Sequence, residues 1–397
     1  MYKRIAVLAL VGLSLTGCSS MKDWFTSDKA KAKKALEPAE LVKFDASVEL
    51  QRLWSTSVGK GEGRTGVGQG PVVADGVVYA AALEGGVSAL DLHTGKRLWH
   101  WKPAKEKDKR PLRLSGGPGV GGGLVVIGSL EGEVVALDAA GGNEQWRAKV
   151  RSEVISAPAI ANGLVFVRSS DGRVTALEAA NGSQRWFNAQ ELPPLTVRGN
   201  APVLPGPGVV FSGNDDGTLS ALAMADGSPL WEQMVGVPEG RTDLERMADV
   251  DAAPVLDGTT LFATSYKDQT VAIEGPSGRP LWVRDHGGAG QLAVTSGAVL
   301  LADGKGTVWS LDKYSGAAQW SQPALARREL TGVAVLGDHV AVGDLEGYVH
   351  LLRLRDGEFA GRIRHSRERL LAAPRVADGV LLVQDVDGKL AAYRLRQ

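Results

Sequence analysis

Cysteine is almost missing from this chain of 397 residues: one stands at position 18 and none follows it, which excludes an intrachain disulfide. Charge bias is missing as well, with 45 basic residues set against 45 acidic ones. No global electrostatic footprint of a nucleic-acid binder is present, and no nucleic-acid partner is expected. The apolar stretch IAVLALVGLSLT near the start holds about a dozen residues, too few at about 1.5 Å each to cross a ~30 Å hydrocarbon core. Histidines stand at 93, 100, 286, 339, 350 and 365, with no pair at metal-ligand spacing. The glycines of GEGRTGVGQG lead into a strand and not into a helix whose N-terminus could cradle a phosphate. QDVDGK lacks the remaining ligands of a calcium loop. No cofactor and no metal is expected.

Glycine, by contrast, is abundant, with 51 residues and no collagen period. Its distribution is periodic. Tryptophans stand at 54, 99, 146, 186, 231, 282 and 320, spaced as four-stranded propeller blades are, at about 40 to 50 residues. Four residues before each tryptophan from 99 to 282 is a glycine (Gly95, Gly142, Gly182, Gly227, Gly278), and ten before is an alanine. Further glycines lie fourteen residues before, with Asp268 as the exception, and about twenty-three before. Three glycine-centred turns cut each unit into four short strands, and β-branched runs such as VVYAAAL and LVFVRSS lie between them.

Two later units keep the turns without the tryptophan, and Gly361 stands where one would be. The last unit runs out after three strands. VELQRLWSTSVG, near the other end, carries Trp54 before any strands of its own unit, so it supplies the missing fourth strand. The expectation is an all-β chain: a single eight-bladed β-propeller of four-stranded antiparallel blades over 46–397, closed by the N-terminal strand completing the last blade. The tryptophans then pack one sheet on the next.

At the N-terminus a basic start and the apolar stretch precede Leu15-Thr16-Gly17-Cys18, which resembles the lipobox of bacterial lipoproteins. The resemblance implies a signal peptide over 1–17, acylation at Cys18 and, with Ser19 next, sorting to the outer membrane with the body facing the periplasm. Residues 18–45, rich in Lys, Ala, Ser and Asp, read as an acylated N-terminus and flexible tether.

Function is sought where the repeat is interrupted. Three connections between units are expanded: KPAKEKDKRPLRLSGG, FNAQELPPLTVRGN and EQMVGVPEGRTDLERMADVDA. The first holds the basic run from Lys102 to Arg113, to which no partner is assigned. The other two join neighbouring blades on one face and bring Leu195, Val197 and Arg198 near Asp249 and Asp251. An apolar anchor beside charged groups suits a protein-binding patch. The plainer alternative is that Arg198 pairs with the aspartates only to hold two loops.

The repeat ALDxxTGxxxW resembles that of pyrroloquinoline quinone dehydrogenases, so a quinone enzyme is the first alternative. No cysteine remains for that family's disulfide, and its catalytic aspartate has no match here. Lipobox, tether, eight blades, PPLTVRGNAP and TDLERMADVDAAP together resemble the BamB family of outer-membrane assembly lipoproteins. That resemblance implies a non-enzymatic scaffold in the BAM complex, binding a POTRA domain of BamA through Leu195, Val197, Arg198, Asp249 and Asp251. Strand edges would also suit unfolded outer-membrane proteins by β-augmentation.

Overall fold

The computed structural model describes residues 37–61, 65–104, 111–267 and 269–396. Among these the chain forms eight four-stranded antiparallel sheets arranged as a propeller. Blade 1 comprises Val72–Ala74, Val77–Ala82, Gly86–Asp91 and Arg97–Trp101. Blades 2 to 7 follow over 114–149, 159–189, 204–234, 255–284, 293–322 and 333–364. Blade 8 takes Arg375–Ala377, Val380–Gln384 and Lys389–Arg396 from the end of the chain and Glu49–Ser57 from its beginning. The closing pair runs from Glu49 opposite Arg396 to Ser57 opposite Lys389, with one bulge between Arg52 and Trp54. Eight hydrogen-bonded blades and their closure agree with the expectation from spacing.

The core is divided. Buried aliphatic residues gather at each junction between blades, as Val78 and Leu90 of blade 1 do with Leu382 and Leu390 of blade 8. Each such side chain contributes about 1.5–3 kcal/mol on burial, so the ring is held by its junctions as well as by its ladders.

The tryptophans bolt these junctions from outside. Trp54 Nε1 donates to Leu92 O at 2.8 Å, and Trp99 does the same to Ala139 O at 2.9 Å. The pattern continues through Trp146, Trp186, Trp231, Trp282 and Trp320, each reaching a carbonyl of the following blade. Each indole lies flat on the glycine of that blade's last turn. A Cβ on Gly227 would stand 2.5 Å from the Trp186 ring, and the residue holds φ +74. Glycine is demanded twice, by conformation and by space.

Gly361 now has a physical reason. Blade 8 takes its outer strand from the other end of the chain, so it has no last hairpin for a tryptophan of blade 7 to cover. Residues entering the closing strand pass there instead: Ser47 and Val48 donate their amides to Ala360 O, and a Cβ on Gly361 would meet Val48 O at 2.7 Å.

Residues 39–45, placed in the tether by composition, also lie against this blade. Arg328 Nη1 donates to Ala39 O at 2.8 Å and Arg362 Nη1 to Val42 O at 3.0 Å. Phe44 stacks on Phe359 at 5.3 Å, with the Arg362 guanidinium over its ring. The packed body therefore begins at Ala39. Beneath this strap, buried Arg328 pairs with Asp344, whose Oδ2 also receives the His350 ring at 2.9 Å. Arg362 Nε donates to His350 Nδ1 at 3.1 Å, which makes that nitrogen an acceptor and His350 a neutral ring protonated on Nε2. The expected signal peptide over 1–17 and the acylated part of the expected tether, Cys18 to residue 36, lie outside the described residues.

Candidate functional site

Because alternate strands reverse direction, the connections between blades emerge on the same face as the central hairpin of each blade. The first strands of successive blades surround the central channel, and its mouth on this face is lined in part by Val197, Arg198, Gly199, Asn200 and Asp251. The expanded loops 190–203 and 235–254 therefore meet at the rim.

The second loop has a rigid course. It passes over the central hairpin of blade 4 so closely that a Cβ on Gly217 would lie 2.2 Å from Gly236 O, and one on Gly213 would lie 2.4 Å from Val250 O. Val250 N donates to Asn214 O, and Tyr266 N, in the central hairpin of blade 5, donates to Asp249 O at 2.8 Å. A single helical turn, Asp243–Arg246, is capped reciprocally by Thr242 and Glu245. Lys267 donates from the neighbouring hairpin to the carbonyls of Glu239 and Glu245.

On that base rests the first loop. Val197 N donates to Asp249 Oδ1 at 2.9 Å. At Gly199 the backbone closes directly over Asp251, whose carboxylate carbon would stand 2.6 Å from any Cβ added there. The five expected residues are thus brought together, in two layers. Leu195 is 43% exposed and projects from the rim, and Arg198 is half exposed. Asp249 is fully buried, and both carboxylate oxygens of Asp251 are shielded from solvent.

Arg198 does not pair with the aspartates. Its Nη2 meets Glu153 Oε2 at 2.9 Å, in the loop between blades 2 and 3, and its Nε donates to Thr65 O at 3.1 Å, between blades 8 and 1. Arg198 is therefore a stitch across the channel mouth, with part of its guanidinium open to solvent. The apolar rim extends beyond Leu195 to exposed Leu192, Val237, Leu244 and Tyr266 on the same face. Residues 105–110 of the basic loop lie outside the described residues, and Arg113 at its end pairs with Glu131 at 2.7 Å.

Two buried residues complete the lower layer and escaped the sequence reading. Arg168, in the strand Leu164–Ser169, meets Asp215 Oδ1 at 2.9 Å, and both are buried. Asp215 joins Asp249 and Asp251 in one group, with carboxylate oxygens within 4.8 Å of one another. Burial pushes Asp249 up to about 6, against the Val197 hydrogen bond. Burial and the charge of Asp249 push Asp251 up to about 8, and burial raises Asp215 against the pull of Arg168. One signal was available: Arg168 is a charged residue directly after the apolar run LVFV, within the same strand.

Comparison with known proteins agrees with this architecture. The family model described as outer membrane protein assembly factor BamB matches residues 35–113, 84–322 and 315–396. The BamB of Xanthomonas campestris pv. campestris is 66% identical over 400 residues, covering 100% of this chain and 98% of that protein. The crystal structure of BamB from Moraxella catarrhalis superposes with a TM-score of 0.78 at 25% identity, covering 87% of this chain and 99% of that one. A quinohemoprotein alcohol dehydrogenase from Comamonas testosteroni superposes with a TM-score of 0.65 at 15% identity, over 87% of this chain and 76% of that one. That likeness is one of fold alone. The relatives that share sequence along the whole chain bear the name of an assembly factor and not of an enzyme. The chain belongs to the BamB family of outer membrane protein assembly factors.

Proposed function

We propose that this chain is a non-enzymatic scaffold of the outer-membrane β-barrel assembly complex, docking a POTRA domain of BamA at the rim formed by the loops after blades 3 and 4. One observation carries the reading: exposed Leu195 stands beside half-exposed Arg198 on a base fixed by the Val197 to Asp249 hydrogen bond. Leu195 is the apolar anchor and Arg198 supplies charge-assisted hydrogen bonds at its edge. Asp249 and Asp251, being buried, hold the loop in its docking shape. A preorganised loop loses little conformational freedom on binding, so more of the contact energy appears as affinity.

Acylation at Cys18 would keep the ring at the outer membrane, facing the periplasm. That raises its effective concentration near a membrane-bound partner without any new contact. A photoreactive amino acid at position 195 tests the docking face. It should crosslink to the POTRA region of BamA, whereas one at exposed Tyr314, in a hairpin on the opposite face, should not. Crosslinks from 314 and none from 195 would refute the assignment.

A further inference from the structure

We propose that Asp215, Asp249 and Asp251 form a binding site for one hard divalent cation, calcium by the chemistry of its donors, at the channel mouth. The inference does not depend on the docking reading.

Charge comes first. Three carboxylates and the single guanidinium of Arg168 leave the pocket two positive charges short of neutrality when all are ionised, and a divalent cation supplies that difference. Buried charge without compensation is among the costliest arrangements in a folded protein. The second observation is independent of the count. Asp249 is fully buried with Oδ2 lacking any hydrogen-bond partner, and both oxygens of Asp251 lack one too. Buried polar atoms are almost always satisfied, so three orphaned oxygens on two carboxylates of one close group mark a missing ligand.

The donors decide its chemistry. All are carboxylate oxygens, with no sulfur or imidazole, which selects hard cations. Carboxylate oxygens within 4.8 Å of one another are close enough to share one ion, and in a pocket shielded from solvent calcium is favoured over magnesium, which gives up its waters reluctantly and demands a strict octahedron. Arg168 engages Asp215 from the side through Oδ1 and completes the charge balance. Bound there, the ion would tie the root of the loop after blade 4 to the central hairpin of blade 4, beneath Gly199 of the loop after blade 3.

The test is calorimetric titration of the purified protein, stripped with a chelator, with calcium chloride at neutral pH, alongside equilibrium dialysis with radioactive calcium. One ion per chain should bind, magnesium should compete poorly, and the thermal midpoint should rise with calcium. Asp251→Asn should weaken binding by at least about tenfold with an unchanged circular dichroism spectrum. If that variant does not fold, stoichiometry and the thermal shift of the unaltered protein still decide. The proposal is overturned if the unaltered protein binds no calcium at millimolar concentration, which would mean that protons neutralise the carboxylates. It is equally overturned by a preference for magnesium or by undiminished binding in folded Asp251→Asn.

Discussion

The amide of Val197 donates to the buried carboxylate of Asp249 at 2.9 Å, so the loop after blade 3 takes its shape from the loop after blade 4. Neither loop is independent of the other.

Removing the acceptor should therefore loosen the rim. Asp249→Ala is expected to lower stability by about 1–3 kcal/mol, the cost of leaving buried groups unpaired. Asp249→Asn, which keeps a carbonyl acceptor and sheds a buried charge, should cost less. Urea denaturation of both variants in chelator-containing buffer measures the difference, and equal losses would show that the hydrogen bond is not what holds the loop.

The glycines separate into two kinds, and substitution should tell them apart. Gly76 and Gly227 have the same backbone, φ +73 and +74, but a Cβ on Gly76 would enter open space while one on Gly227 would strike the Trp186 ring. Gly76→Ala should cost about 1–2 kcal/mol from conformation alone. Gly227→Ala should cost about 1–3 kcal/mol more, because the junction between blades 3 and 4 must open. Chemical denaturation of the pair checks the order.

Acid should weaken the packing under the N-terminal strap. Burial holds His350 below its ordinary 6.5, and Arg362 and Arg328 act in the same direction against the pull of Asp344. The unfolded chain then takes up a proton that the folded chain resists. This contribution to stability is complete above pH 6.5 and is lost as pH falls below it. Asp344, itself held low, adds its own loss only in the more acidic range below 3.8. His350→Gln keeps a donor for Asp344 and an acceptor for Arg362, so it should flatten part of the decline in denaturation midpoint between about pH 7 and pH 5. An unchanged slope would place the proton uptake elsewhere, with His365, also lowered by burial, the next group to test.

What could be read from the sequence follows from how local each requirement is. The ring, its eight blades and its closure were legible because a glycine turn and a tryptophan ten residues after an alanine are needs met within one unit, repeated along the chain. Residues 39–45 were not, because their partners at Arg328, Phe359 and Arg362 are some three hundred residues away and nothing in AELVKFD announces them. The rim lay between these cases. Its residues showed as an interruption of the repeat, but the burial of Asp249 and Asp251 and the turn of Arg198 toward Glu153 depend on how loops from several blades converge. Asp215 sits in the glycine turn GNDDGT with nothing local to set it apart, and only the fold brings Arg168 and the two other aspartates to it.

The most direct test is the affinity of purified BamA POTRA domains for this chain and for its Leu195→Ala/Arg198→Ala variant. Leu195 is exposed, and the Arg198–Glu153 pair is half exposed and contributes only about 0–1 kcal/mol, so the variant should melt close to the parent. Loss of an anchor and its charged neighbour should weaken binding by about tenfold or more. Retention of full affinity by the folded double variant would contradict the docking site proposed for this rim.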